Sequence, residues 1–179
     1  MPLGDSVLQP PGMQQWHLAE LNVARAVAPV DGPELAEFVA GLESINALAD
    51  AAPGFVWRLA GAEAGAPAAA DELDPRLLLN LSVWSSPEAL FEYVYKTAHT
   101  AFMLKRRQWF EKPAQAHLVL WWVPAGHRPT LVEALERLEL LRRDGPTAQA
   151  FTFKQRFPAP GQGGAADDMQ PEPYCSGWQ

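Results

Sequence analysis

The sequence predicts an α+β domain with the ferredoxin-like order β-α-β-β-α-β and one added C-terminal helix. Three observations carry that expectation. Four stretches have the period of strands, near 16–24, 55–59, 77–84 and 117–123. Helix-start signals, Asp31-Gly32-Pro33-Glu34 and Ser86-Pro87-Glu88, fall between the first and second strands and between the third and fourth. A length of 179 residues suits one core with tails rather than two domains.

Residues 1–14 hold three prolines and no periodicity, and read as a flexible arm. From Trp16, one alternating set is Trp16, Leu18, Glu20 and Asn22, and the other is His17, Ala19, Leu21 and Val23. Pro33 sits at a helix first turn, where its missing N–H is harmless, and Glu34 suits the helix dipole. The helix extends to about Ala49, with Leu35, Phe38, Val39, Leu42, Ile45 and Ala49 as its buried stripe. Pro53-Gly54 turns the chain into the strand Phe55 to Leu59. Between Ala60 and Asp74 the Ala- and Gly-rich composition predicts a mobile loop.

Leu77 to Trp84 places Leu78, Asn80, Ser82 and Trp84 on one face and only apolar residues on the other. Ser86 caps a helix that has Pro87 at its first position; nothing stops it before about residue 111, making it the longest expected element. His117 to Val123 is the fourth strand. Thr130 and Glu133 spell a capping box, and Leu131, Leu135, Leu138 and Leu141 continue in line to Gly145-Pro146. Residues 150–154 suggest a short further strand. The Gly- and Pro-rich residues 158–179 read as a flexible tail, leaving 15–157 as the folded domain.

Composition narrows the function. A net charge of -7 disfavours a nucleic-acid partner, since the tight basic cluster is only Lys105-Arg106-Arg107. The single Cys175 forms no disulfide framework, there is no membrane span or secretory signal, and the expectation is a cytoplasmic protein. Seven Trp are more than a surface holds, so several pack inside, in a pocket or in an interface.

The polarity of the strands suggests that the all-apolar sets (Leu21, Val23, Leu77, Leu79, Leu81, Val83) meet the helices. Glu20, Asn22, Asn80, Ser82 and Trp84 then face the other way. With helices on one face only, that second face needs a cover, and a second copy giving a homodimer is the expected one.

The spellings HLAELNVAR, INALADAAPGFVWRL, LLLNLSVWSSPEAL, YKTAHTAFMLKRRQWF and LVLWWVPAGHRPTLVEALERLELL resemble those of an uncharacterised bacterial family, domain of unknown function 3291. The resemblance covers about 16–157. That family is similar to the dimeric α+β barrel superfamily of antibiotic-biosynthesis monooxygenases, which includes cofactor-independent quinone-forming enzymes and haem-degrading ones. The resemblance implies a small-molecule pocket. It places Asn22 at the strand-one Asn of the haem-degrading members, Tyr93 near their Trp, and His99 one helical turn before their haem ligand.

The candidate site follows. His99 is the proton-moving residue and Asn22 positions a substrate oxygen. Glu20, Trp57, Asn80, Ser82, Trp84, Tyr95 and Arg106 are the substrate-binding set. On one continuous helix Tyr95, His99, Met103 and Arg106 would share a face. Each residue type also has a structural role open to it: a hydrogen-bonded helix histidine, paired polar groups at a wet interface, core or interface aromatics, solvated arginines. Trp121 and Trp122 share the aromatic alternative, while His17 and His117, without a carboxylate at ligand spacing, do not amount to a metal site. The expected function is a cofactor-independent, monooxygenase-like enzyme acting on a flat, apolar phenol or enol. The alternative is a non-catalytic small-molecule or haem-binding protein of the same fold.

Overall fold

The computed structural model describes residues 14–60, 74, 76–96 and 99–163, without the side chains of 99–103. Most of the expected arm, the Ala- and Gly-rich loop and the tail with Cys175 therefore lie outside the described residues, as does the Met103 side chain.

Strand β1 (Trp16–Arg25) leads into a 3-10 turn (Pro33–Leu35) and helix α1 (Ala36–Asp50). Proline opens the turn as its sequence signal predicts. Strands β2 (Phe55–Arg58) and β3 (Leu77–Trp84) follow. The turn into β2 requires glycine: Gly54 has φ of 82°, and a Cβ there would lie 2.5 Å from both Ala89 Cβ and Ser85 Oγ.

Over the expected helix 87–111 the described residues form α2 (Pro87–Lys96) and α3 (His99–Trp109), and residues 97–98 between them lie outside the described residues. The expected row takes Tyr95 from α2 and His99, Met103 and Arg106 from α3, and the side chains of His99 and Met103 lie outside the described residues. The chain leaves α3 because its end is tied to the end of β1: the Val27 N–H donates to the Trp109 carbonyl at 2.9 Å and the Glu111 N–H to the Arg25 carbonyl at 2.8 Å. Strand β4 (Leu118–Pro124) and helix α4 (Leu131–Asp144) complete the domain. Thr130 Oγ1 caps α4 by accepting from the Glu133 N–H at 3.1 Å, and Gly145 closes it at a φ of 72°. In place of a strand at 150–154, Phe151 makes a single bridge to Leu120, with reciprocal N–H to carbonyl bonds of 2.8 Å.

The four strands form an open antiparallel sheet in the order β2-β3-β1-β4. Its two faces have different covers. On the dry face, Ala19, Leu21, Leu81, Val83, Val119, Trp121 and Val123 pack against Ala134, Leu138 and Leu141 of α4. On the strip face, Leu18, Trp84 and Leu120 pack against Ala49 of α1, Leu90 and Tyr93 of α2, and Phe151. At the start of α1, Leu35 of the 3-10 turn and Phe38 join Ala26, Leu78 and Trp109 in a third cluster.

This reverses the expected orientation of the sheet. The faces carrying Glu20, Asn22, Asn80, Ser82 and Trp84 meet the crossover helices, and the all-apolar sets meet α4. The physical reason is that Leu18, Trp84 and Leu120 give the strip face its own apolar area to bury, while the leucine stripe of α4 needs an apolar floor. Among the described residues α4 packs on the apolar face and α1 and α2 on the face expected to be bare. No helix among the described residues is long and apolar enough to cross a membrane.

Candidate functional site

The strip face reads as successive rows across β3, β1 and β4. Trp84, Leu18 and Trp122 form the first, Ser82, Glu20 and Leu120 the second, and Asn80, Asn22 and Leu118 the third. Alternation along each strand brings these side chains to one side, and the antiparallel register sets Ser82 opposite Glu20 and Asn80 opposite Asn22.

Glu20 is buried in the middle row at 5 % exposure. Ser82 Oγ donates to Glu20 Oε2 at 2.9 Å, and Trp84 Nε1–H donates to Ser82 Oγ at 3.0 Å. These bonds make a directed chain from the indole to the carboxyl. Burial is the main force on Glu20 and pushes its pKa up to about 8, although the Ser82 hydrogen bond pulls the other way. At neutral pH the carboxyl is mostly protonated.

Tyr93 stacks on Trp84, with ring centroids 5.1 Å apart and planes at 25°, while Phe55 meets the same indole edge-on at 5.3 Å. The Tyr93 hydroxyl donates to the Ile45 carbonyl at 3.2 Å, tying α2 to α1. Burial first and the Glu20 charge second raise the Tyr93 pKa to about 12, so it stays a phenol. Arg58 lies beside Ser82 on β2 and is held by Asp50, Nε to Oδ1 at 2.8 Å and Nη2 to Oδ2 at 3.2 Å.

The structure gathers Glu20, Asn22, Asn80, Ser82 and Trp84 on one face, from buried Glu20 through half-buried Asn22 to exposed Asn80. Trp57 is not with them. The register shifts between Phe55 and Trp57, so Phe55 meets Trp84 while Trp57 packs into the dry-face cluster, with the Arg128 guanidinium 5.9 Å from its ring centre. Tyr95 is also elsewhere, against Phe91 at 4.6 Å and Phe153 at 6.2 Å. Its place on Trp84 is taken by Tyr93.

His99 is the first residue of α3, and its side chain lies outside the described residues. Arg106 is half-buried on the same helix; its charge adds to burial, the larger effect, in holding the His117 pKa low. Trp121 faces α4, where its Nε1–H donates to Glu133 Oε1 at 3.2 Å, and Trp122 Nε1–H donates to the Phe157 carbonyl at 2.8 Å. No group of three or more metal-ligating side chains is found among the described residues.

Arg58 and Asp50 are neighbours of the site that the sequence reading does not reach, and Tyr93, which the resemblance places near the family's Trp, is absent from the candidate set. For Tyr93 a signal existed: counted from Pro87, the positions Pro87, Leu90 and Tyr93 repeat at helical spacing and are the buried face of α2. Arg58 had none, because its place beside Ser82 depends on the irregular pairing of β2.

A family model described as "Domain of unknown function (DUF3291)" matches residues 17–166, most of the chain, and the chain belongs to that family. Among solved structures, a similar one is the crystal structure of NE2512, a protein of unknown function from Nitrosomonas europaea. It is 16 % identical, with a TM-score of 0.40, over 66 % of this chain and 97 % of that one. No curated protein matches.

Proposed function

We propose that this member of the domain of unknown function 3291 family is a cofactor-independent, monooxygenase-like enzyme that takes a proton from a flat, apolar phenol or enol. One observation carries the reading: a carboxyl buried in mid-sheet, oriented by Ser82 and Trp84, with its pKa raised to about 8. A base of that strength is matched to weakly acidic hydroxyl and enol groups, which an ordinary exposed carboxylate is too weak to deprotonate efficiently. The reading gives Glu20 the base role that sequence alone assigned to His99, while Asn22 holds a substrate oxygen.

Once deprotonated, the substrate itself supplies electrons to dioxygen. The electron-rich C–H carbon of the phenolate or enolate and dioxygen form a hydroperoxide, which loses water to leave C=O, so that one oxygen atom enters the product and the other leaves as water. The strand order supports the ferredoxin-like reading and with it kinship to the dimeric barrel monooxygenases. The described strip residues come from one copy, and the homodimer that the resemblance implies adds to this arrangement without supplying them.

Haem fits the described strip poorly. His17 falls on the opposite face by strand alternation, and the described strip residues supply no imidazole, while Glu20 Oε2 is already engaged by Ser82.

The test is oxygen uptake and product formation across a panel of phenols and enolisable ketones. Glu20→Gln should lower kcat/KM by about 10²–10⁴-fold. The wild-type kcat/KM should rise with pH through an inflection near 8. Full activity in Glu20→Gln would sink the assignment.

A further inference from the structure

Most polar groups on the strip face are satisfied by the protein. Ser82 and Trp84 serve Glu20, Tyr93 binds the Ile45 carbonyl, and Arg58 is committed to Asp50. Asn22 and Asn80 differ. Their Cα positions are paired across β1 and β3, which places their side chains within reach of each other. Among the described residues neither carboxamide has a hydrogen-bond partner, and they do not bond to each other. Around them the same face is apolar, with Leu118 beside Asn22 on β4 and Ala24 and Leu78 in the next row.

We propose that Asn22 and Asn80 form the ligand-reading subsite, and that they select a neutral, flat molecule presenting a donor and an acceptor side by side, as a hydroxyl next to a carbonyl does. A carboxamide offers both a carbonyl acceptor and N–H donors, so two of them match such an edge from below. The charges of the strip point the same way. Its described strand residues hold one cation, Arg58, which is paired with Asp50, and an anionic ligand is repelled whenever Glu20 ionises. Asn22 lies two residues from Glu20, about 7 Å along the strand, so a ligand read by the carboxamides extends over the carboxyl. This deepens the proposed function and rests on it only for the identity of the base.

Binding tests it, followed by the chemical shift of the Trp84 indole N–H in the full chain. The probes are 2-hydroxyacetophenone, phenol, acetophenone and salicylate. The hydroxy-ketone should bind about tenfold more tightly than either single-group probe, and Asn22→Leu and Asn80→Leu should each erase most of that preference. Asn80 is exposed, so its variant keeps the fold and the test remains decisive if Asn22→Leu does not. Equal binding of the three neutral probes, an unchanged preference in Asn80→Leu, or tighter binding of salicylate overturns the subsite. Glu20→Gln separates the two claims: it should retain the hydroxy-ketone preference while losing turnover. A Glu20→Gln protein that keeps turnover removes the base yet leaves the subsite supported by the preference.

Discussion

The two faces of the sheet bury comparable aromatic and aliphatic side chains, but they use the interior in opposite ways. On the dry face the strand residues clustered with α4 are apolar, and the polar atoms nearby are those of Glu133, which accepts from both Trp121 and His127, and His17 Nδ1, which is buried without a partner among the described residues. On the strip face a carboxyl is carried into the middle of the layer and left with one hydrogen bond from a serine. The first arrangement spends burial on stability alone. The second gives up stability to hold a group in an ionisation state that water would not give it, a pattern expected where chemistry is done rather than where a core is built.

That contrast can be broken by substitution. Leu81→Ala on the dry face removes a side chain at 1 % exposure and should cost about 2–5 kcal/mol in urea unfolding, independent of pH. Glu20→Gln should do the reverse at high pH. Because the folded-state pKa of Glu20 lies above its unfolded value of 4.5, wild-type stability declines as pH rises from about 4.5 through 8. The glutamine variant escapes that decline, so it should exceed wild type by a few kcal/mol at pH 9 and match it near pH 4. A wild type whose stability does not fall over that window would remove the difference between the faces.

Smaller effects sharpen the picture. Ser82→Ala deprives Glu20 of its donor and Trp84 of its acceptor, and should destabilise by about 1–3 kcal/mol. It should also move the Glu20 titration, followed by carboxyl carbon NMR, to still higher pH, since the Ser82 bond opposes the rise. Asp50→Asn breaks the Arg58 pair at the rim of the strip, where Asp50 is 47 % exposed, and should change stability by less than about 1 kcal/mol. A larger loss would mean that Arg58 contributes to the strip's interior and not only to its edge.

Much of this was legible in the chain, and the misses share a cause. Capping of α4 by Thr130, the Pro33 and Pro87 helix starts and the polar alternation of Glu20 with Asn22 and of Asn80 with Ser82 all stand as written in sequence. The pairing of α1 and α2 with the polar face did not, because polarity counts two or three residues per strand and overlooks the area of Leu18, Trp84 and Leu120. Trp57 was misplaced because a bulge of one residue changes the face of everything after it. Tyr93 rather than Tyr95 lies on Trp84 because Pro87, Leu90 and Tyr93 form the buried face of α2.

The sequence by itself determined the local elements, since caps, breakers and side-chain period act over a few residues. It also determined that polar residues would share a strand face. Only the tertiary structure decided which layer covered that face, that Ser82 would meet Glu20 across 62 residues of chain, and that Tyr93 would close over Trp84. Those outcomes depend on how amphipathic elements divide two sheet faces among them, a competition between long-range packings that no local window contains. The raised pKa of Glu20 is the clearest case: a glutamate in a strand pattern has an ordinary pKa until the surrounding layers remove its water.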